Sequence, residues 1–149
     1  MATYVDTSAV LRLVERRGDV SPVESAMAAQ PLCSSLGELE CWSAIHKKWH
    51  DAEVTLVQRD QLLSSVQELL DAVNIMALDD DVLEEARTLC RRYPLRTLDG
   101  IHLATASRAD SRLAGRSVTL RFCTADRRQA EAARQHFGQD RVDFVPSWR

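Results

Sequence analysis

This chain of 149 residues is short of several things, and each shortage removes a class of protein. No apolar stretch approaches the roughly 18 residues that a membrane span needs, so a membrane protein is not expected. The first residues run straight into Thr3-Tyr4-Val5, with neither a basic region nor a small-residue cleavage site, which points to a cytoplasmic protein. Cysteine is sparse. Cys33, Cys41, Cys90 and Cys123 are far apart and form no C-x-x-C pair, so buried free thiols are expected rather than a zinc cluster or a disulfide framework. Net positive charge is also missing. A formal charge of −3 argues against a protein that grips nucleic acid by bulk charge alone. It leaves room for an enzyme whose acids are neutralised by metal and flanked by local basic patches.

What is present is an ordinary globular composition, 45% apolar, at a length that fits one domain over residues 1–149. Short β-type runs alternate with helical patterns. Thr3–Val5 reads as a strand ending at Asp6. A helix follows, capped by Thr7 or Ser8, with Ala9, Val10, Leu13 and Val14 at helical spacing and Gly18 as its close. Ser21-Pro22 opens a helix to Ala29, and Leu32-Cys33 reads as a brief strand. Ser34 or Ser35 caps a long helix to His50, with Leu36, Leu39, Trp42, Ile45 and Trp49 on one side.

The second half continues the alternation. It reads as a helix over Thr55–Ala72, a strand over Val73–Ala77, and a helix from Asp79-Asp80-Asp81 to Tyr93 that Pro94 stops. A helix over Leu98–Ala109, a strand over Val118–Thr124, a helix over Asp126–Phe137 and a strand over Val142–Val145 complete it. Short strands separated by helices predict an α/β fold with a parallel sheet covered on both faces. In such sheets the sites lie beyond the carboxyl ends of the strands, where Asp6 and Asp126 fall.

Four acids stand where a carboxylate can serve a site: Asp6, Glu40, Asp99 and Asp126. Singly, Asp6, Asp99 and Asp126 are explained as helix N-caps contributing about 1 kcal/mol each, and Glu40 as a solvated helix residue. Together they resist that explanation, because Glu40 is mid-helix and Asp99 lies inside an otherwise apolar run. Hard cations such as Mg²⁺ or Mn²⁺ take oxygen ligands, and paired ions about 4 Å apart promote phosphodiester cleavage. Without cations, clustered carboxylates repel one another and some stay protonated.

Tyr4-Val5-Asp6-Thr7-Ser8-Ala9, Ser34-Ser35-Leu36-Gly37-Glu38-Leu39-Glu40, Leu95–Ala104 around Asp99, and Thr124-Ala125-Asp126-Arg127-Arg128 follow one another along nearly the whole chain. In that order and spacing they resemble PIN-domain ribonucleases, and among these the VapC toxins of bacterial VapBC toxin–antitoxin pairs. The resemblance implies a three-layer α/β/α sandwich on a five-stranded parallel sheet, and a Mg²⁺- or Mn²⁺-dependent endoribonuclease. It also implies a toxin homodimer, silenced by a VapB-type antitoxin whose C-terminal segment enters the site. By the resemblance Asp6, Glu40, Asp99 and Asp126 are the metal-binding acids, while Thr7, Ser8 and Thr124 are hydroxyls that orient them. The family spacing selects Glu40 over Glu38, which points about 160° away on a helix. Gly100 stands where the family often has Ala, and Cys41-Trp42 is bulkier than usual.

Other features are less specific. Arg127 and Arg128 directly follow Asp126 and suit contact with RNA phosphates, as do Lys47 and Lys48. His46 and His50 have zinc-like spacing but lack the Glu of a metalloprotease motif. His102 is expected to be hydrogen-bonded and structural. Trp42, Trp49 and Trp148 are read as core or interface residues. A degenerate PIN domain that binds RNA or protein without cutting is the competing reading, disfavoured because all four acids are present. A haloacid-dehalogenase-type phosphohydrolase lacks its second acid, since position 8 is Ser, and a receiver domain lacks its Lys after a late strand.

Overall fold

The computed structural model describes residues 1–146. Its elements run β1 (Ala2–Val5), α1 (Thr7–Glu15), α2 (Ser21–Met27), β2 (Pro31–Ser34), α3 (Ser35–His50), α4 (Leu56–Asp71) and β3 (Asn74–Met76). Then come α5 (Asp80–Arg92), α6 (Thr97–Ala114), β4 (Leu120–Thr124), α7 (Arg127–Phe137), a 3₁₀ turn at Gln139–Arg141 and β5 (Val142–Phe144). All strand pairs are parallel, in the order β3-β2-β1-β4-β5. The expected five-stranded parallel sheet is therefore present. Among the described residues no helix is long and apolar enough to cross a membrane.

Alternate residues of a strand face opposite sides of the sheet, and the two central strands use both sides. Tyr4 and Phe122 join a core with Val82, Leu89, Leu103 and Ala130 of α5, α6 and α7. Val5 and Cys123 join another with Val10, Val23, Ile45 and Val66 of α1, α2, α3 and α4. Two cores on two faces make the α/β/α sandwich. The chain builds outward from β1 through β2 to β3, then crosses back to β4 on the other side of β1. This reversal opens a crevice at the carboxyl ends of β1 and β4, where sites in open α/β sheets lie.

Several local expectations are corrected. Helix α1 stops at Glu15, not at Gly18: Arg16 takes the left-handed conformation (φ 49°) and its N–H turns back to Arg12 and Leu13. Helix α3 buries only part of the expected apolar side: Ile45 is fully buried and Leu36 packs on the core, but Leu39 and Trp42 do not. Gly37, Cys41 and Ile45 face the core, while Leu39 is 66% and Trp42 41% exposed. The reason is the closeness of its packing, since a Cβ on Gly37 would lie 2.6 Å from Cys33 Sγ. At that point of the helix only a residue without a side chain fits, and the buried edge widens to Cys41 and Ile45 further along. Trp49 is half-buried, with the Arg59 guanidinium of α4 4.5 Å above its ring, and Trp148 lies outside the described residues.

All four cysteines are free, but only Cys33, Cys41 and Cys123 are buried, whereas Cys90 is exposed. Burial pushes the Cys33 and Cys41 thiols up to about 12, which keeps them protonated and inert.

Candidate active site

Asp6 follows β1 and caps α1, its Oδ1 accepting the Ala9 N–H at 3.1 Å. Asp126 follows β4 by two residues and caps α7, its Oδ1 accepting from the Arg128 and Gln129 backbone N–H groups at 2.8 and 3.2 Å. Both acids are N-caps, as their positions suggested. Asp99 is not. The cap position of α6 belongs to Arg96, which makes no side-chain cap bond, and Asp99 sits in the first turn beyond it. Among the described residues no side chain donates to its carboxylate, which the Arg96 backbone and the positive end of α6 favour in its charged form. Glu40 lies in the second turn of α3.

These four acids, brought in by four different helices, line one cleft of about 260 Å³ together with Thr7, Ser8 and His102. Size does not single the cleft out, because a hollow of about 490 Å³ lies beside Leu13, Glu24 and Leu69. Its carboxylates do. Glu38 is exposed and does not line it.

Hydroxyls hold two of the acids. Asp6 accepts from Ser8 Oγ at 2.7 Å and from Thr124 Oγ1 at 2.5 Å. The same two hydroxyl oxygens accept the backbone N–H groups of Ala125 and Asp126, which ties the end of β4 to the start of α1. Thr7 Oγ1 donates to Glu40 Oε1 at 2.9 Å. The close approach at Gly37 lets α3 reach this hydroxyl, for Thr7 Oγ1 lies 3.6 Å from where a Gly37 Cβ would be.

Glu40 Oε1 also accepts from His102 Nε2 at 2.5 Å, and His102 Nδ1 pairs with the Tyr4 hydroxyl at 2.6 Å. Tyr4 is fully buried and His102 nearly so. Burial holds the Tyr4 phenol well above its ordinary range, so it keeps its proton. It then donates to a neutral ring or accepts from a charged one, and in both cases Nε2 donates to Glu40.

Burial dominates the electrostatics of Asp6 and Asp99, and the charge of a neighbouring acid adds to it only at Asp99. Burial raises the Asp6 carboxyl, although His102, Thr124, Ser8 and Ala9 pull it down. Burial and then the charge of Asp126 raise Asp99, against Arg96 and His102. Burial lowers the His102 imidazolium, but the bond to Glu40 and the charges of Asp6, Glu40 and Asp99 outweigh it and raise its pKa. Each shift favours a bound proton, at Asp6 and Asp99 chiefly because burial penalises the carboxylate and at His102 because the surrounding acids favour the imidazolium.

The donor set is all oxygen, which fits a hard divalent cation in kind. Among the described residues no three His, Cys, Asp or Glu side chains close on a single metal position. Glu40 Oε1 and Asp126 Oδ1 are already occupied by protein donors. An open set of this sort suits Mg²⁺, which keeps several waters and takes one or two carboxylates directly.

The PIN-domain family model matches residues 3–135. The chain belongs to the PIN-domain family. A relative of this PIN domain, Ribonuclease VapC46 of Mycobacterium tuberculosis, is 29% identical over 135 residues, covering 89% of this chain and 91% of that one. Three solved structures share the fold. A toxin–antitoxin complex from Klebsiella pneumoniae matches at 23% identity and TM-score 0.57, over 85% of this chain and 87% of that one. PAE2754 from Pyrobaculum aerophilum matches at 16% and 0.65, over 97% and 90%. VapBC2 from Rickettsia felis, bound to a promoter DNA fragment, matches at 11% and 0.62, over 99% of each chain.

The basic residues are dispersed. Arg127 and Arg128 are exposed at the start of α7 beside Asp126. Lys47 pairs with Asp51 and borders an apolar groove of Leu36, Leu39 and Leu98 next to Glu40. Lys48 pairs with Glu15 in a separate hollow against α4, away from the acids. His46 stacks on Trp42 and bonds its carbonyl, so it does not face His50 as a metal pair.

The sequence places His102 one turn after Asp99, within reach of the site, but does not connect Tyr4 and Gln129 to the acids. His102 is hydrogen-bonded as expected, but its partner is Glu40 itself. Its placement three residues after Asp99, on the same side of a helix, is the signal that points it at the site.

Proposed function

We propose that this chain is a metal-dependent endoribonuclease, a single PIN domain over residues 1–149, and the toxin of a type II toxin–antitoxin pair. The observation that carries the reading is the convergence of Asp6, Glu40, Asp99 and Asp126 on one cleft at the switch point of the sheet. Mg²⁺ or Mn²⁺ held by these acids would supply the charge neutralisation that lets a water attack an RNA phosphodiester and its leaving oxygen depart. Everything else falls to the chain's own groups. Ser8 and Thr124 fix the plane of Asp6, and Thr7 and His102 fix Glu40. Arg127 and Arg128, exposed beside Asp126, are placed to meet the RNA backbone, and Lys47 lines the neighbouring groove that shares Glu40 with the cleft.

The toxin–antitoxin complexes among the structures of similar fold support a VapB-type antitoxin as partner, and the reading adds a second copy of the toxin and a cytoplasmic setting. The groove of Leu36, Leu39 and Leu98 gives either an apolar place to bind beside Glu40. The competing reading, a degenerate PIN domain that binds without cutting, draws on one fact, that Glu40 Oε1 is engaged by Thr7 and His102.

Purified protein freed of antitoxin is expected to cleave RNA with Mg²⁺ or Mn²⁺, to stop with chelator, and to arrest growth on expression. Cleavage by neither metal, with growth unaffected, would sink the proposal. Calorimetric titration with Mn²⁺ separates the competing reading, because a degenerate site gives no heat.

A further inference from the structure

Gln129 is 1% exposed and sits between two of the acids. Its backbone N–H donates to Asp126 Oδ1 at 3.2 Å, while its side-chain Nε2 donates to the Asp99 carbonyl at 3.1 Å. One residue thus joins the first turn of α6 to the first turn of α7. Its Oε1 is buried with no partner among the described residues, a costly arrangement in a protein interior.

Local structure does not explain this amide. Asp126-Arg127-Arg128-Gln129 has the spacing of a capping box, in which the Gln side chain would turn back to the N-cap N–H. That N–H is already taken by Thr124 Oγ1 at 3.0 Å, so the glutamine is released from its local role. Thr124 is the same residue that holds Asp6. The diverted side chain reaches the backbone of Asp99, whose carboxylate is close enough to Asp126 to feel its charge.

We propose that Gln129 is a positioning residue for the metal site, fixing the separation of Asp99 and Asp126 by holding the backbone of one and the carboxylate of the other. The inference rests on the metal-dependent ribonuclease reading above. An apolar residue of equal length would fill the same space without an orphaned acceptor, so packing alone gives no reason for an amide. Spacing between two ligand-bearing turns does.

The test uses Gln129→Met in the full chain and two readouts, metal-free thermal melting and Mn²⁺ binding by calorimetry. The expected result is unchanged or raised melting, Mn²⁺ affinity about tenfold weaker, and RNA cleavage that recovers in part as Mn²⁺ is raised to saturation. Wild-type Mn²⁺ affinity in the variant, whatever its melting, would overturn the positioning role while leaving the ribonuclease reading in place. No Mn²⁺ heat in the unsubstituted protein would overturn both. Should Gln129→Met not fold, Gln129→Asn keeps the amide and shortens its reach by one methylene, and the same loss of Mn²⁺ affinity is expected.

Discussion

At the start of α4, Thr55 and Gln58 close a reciprocal capping box on the surface: Thr55 Oγ1 accepts the Gln58 N–H at 3.1 Å, and Gln58 Oε1 accepts the Thr55 N–H at 2.8 Å. At the start of α7, Asp126 and Gln129 have the same spacing, yet only half of that box forms. The difference lies in the surroundings. Thr55 and Gln58 are exposed, and among the described residues no distant side chain bonds to either. Asp126 has Thr124 behind it and Gln129 has Asp99 above it, so the local motif gives way to tertiary contacts. A helix start away from the cleft serves only its helix. One at the cleft serves its helix and the acids together.

Substitutions can break this contrast, and the largest effect is expected at the cleft. Asp99→Ala, which removes no cap, is expected to cut RNA cleavage by a factor on the order of 10³, as loss of several kcal/mol of transition-state stabilisation requires. Its melting should stay near wild type. Asp6→Ala should be as inactive and also less stable, because it strands Ser8 and Thr124. Retained cleavage in either would remove the chemical half of the contrast.

Next comes the approach of α3. Gly37→Ala places a Cβ against the fully buried Cys33 and is expected to cost about 1–3 kcal/mol in denaturant unfolding. Gly100→Ala meets the Cys90 sulfur at 2.5 Å, but that thiol is on an exposed residue and can swing away. Its effect should be smaller, offset by the better helix propensity of Ala. Equal losses at the two glycines would show that burial of the opposing thiol is not what matters.

The caps themselves sharpen the comparison. Thr55→Ala should cost about 1 kcal/mol of stability and leave cleavage unchanged. Asp126→Ala should lose a similar amount of stability and cleavage as well. If both variants change stability alone, the two helix starts are equivalent after all.

The smallest effect concerns pH. Asp6 and Asp99 have folded-state pKa values raised above the ordinary 3.8, and His102 above 6.5. In each case the folded protein binds a proton more tightly than the unfolded chain. The associated stability is fully present below the ordinary value and is lost as pH rises through the raised one. Metal-free protein should therefore melt higher at about pH 6 than at about pH 8, and Thr55→Ala should keep that slope. Saturating Mn²⁺ should flatten it by replacing protons as the countercharge. A metal-free melting temperature that rises with pH would contradict the assigned shifts.

Much of the fold was legible from the sequence because its signals are short-range. Strands between capped helices implied a parallel sheet, and Asp6 and Asp126 could be placed at strand ends from their neighbours alone. In helix α3 the periodicity places Ile45 and Leu36 inward but fails for Leu39 and Trp42, because it reports which residues are large, not which can fit. The tight fit at Gly37 is set by Cys33 of β2, which a helical wheel does not contain. Asp99 was placed at its helix start correctly but is not the cap, and no local feature separates those two cases.

By itself the sequence determined the order of elements and the four acids in family order. Each depends on neighbours within a few residues, or on motifs that the chain carries intact. Tertiary structure alone decided that Tyr4 and His102, 98 positions apart, meet behind Glu40, and that Gln129 leaves its own cap for Asp99. Such pairings depend on which elements the sheet brings side by side. Hydrogen bonds between distant segments leave no periodicity to read, because burial and competition for donors settle them only once the chain has packed.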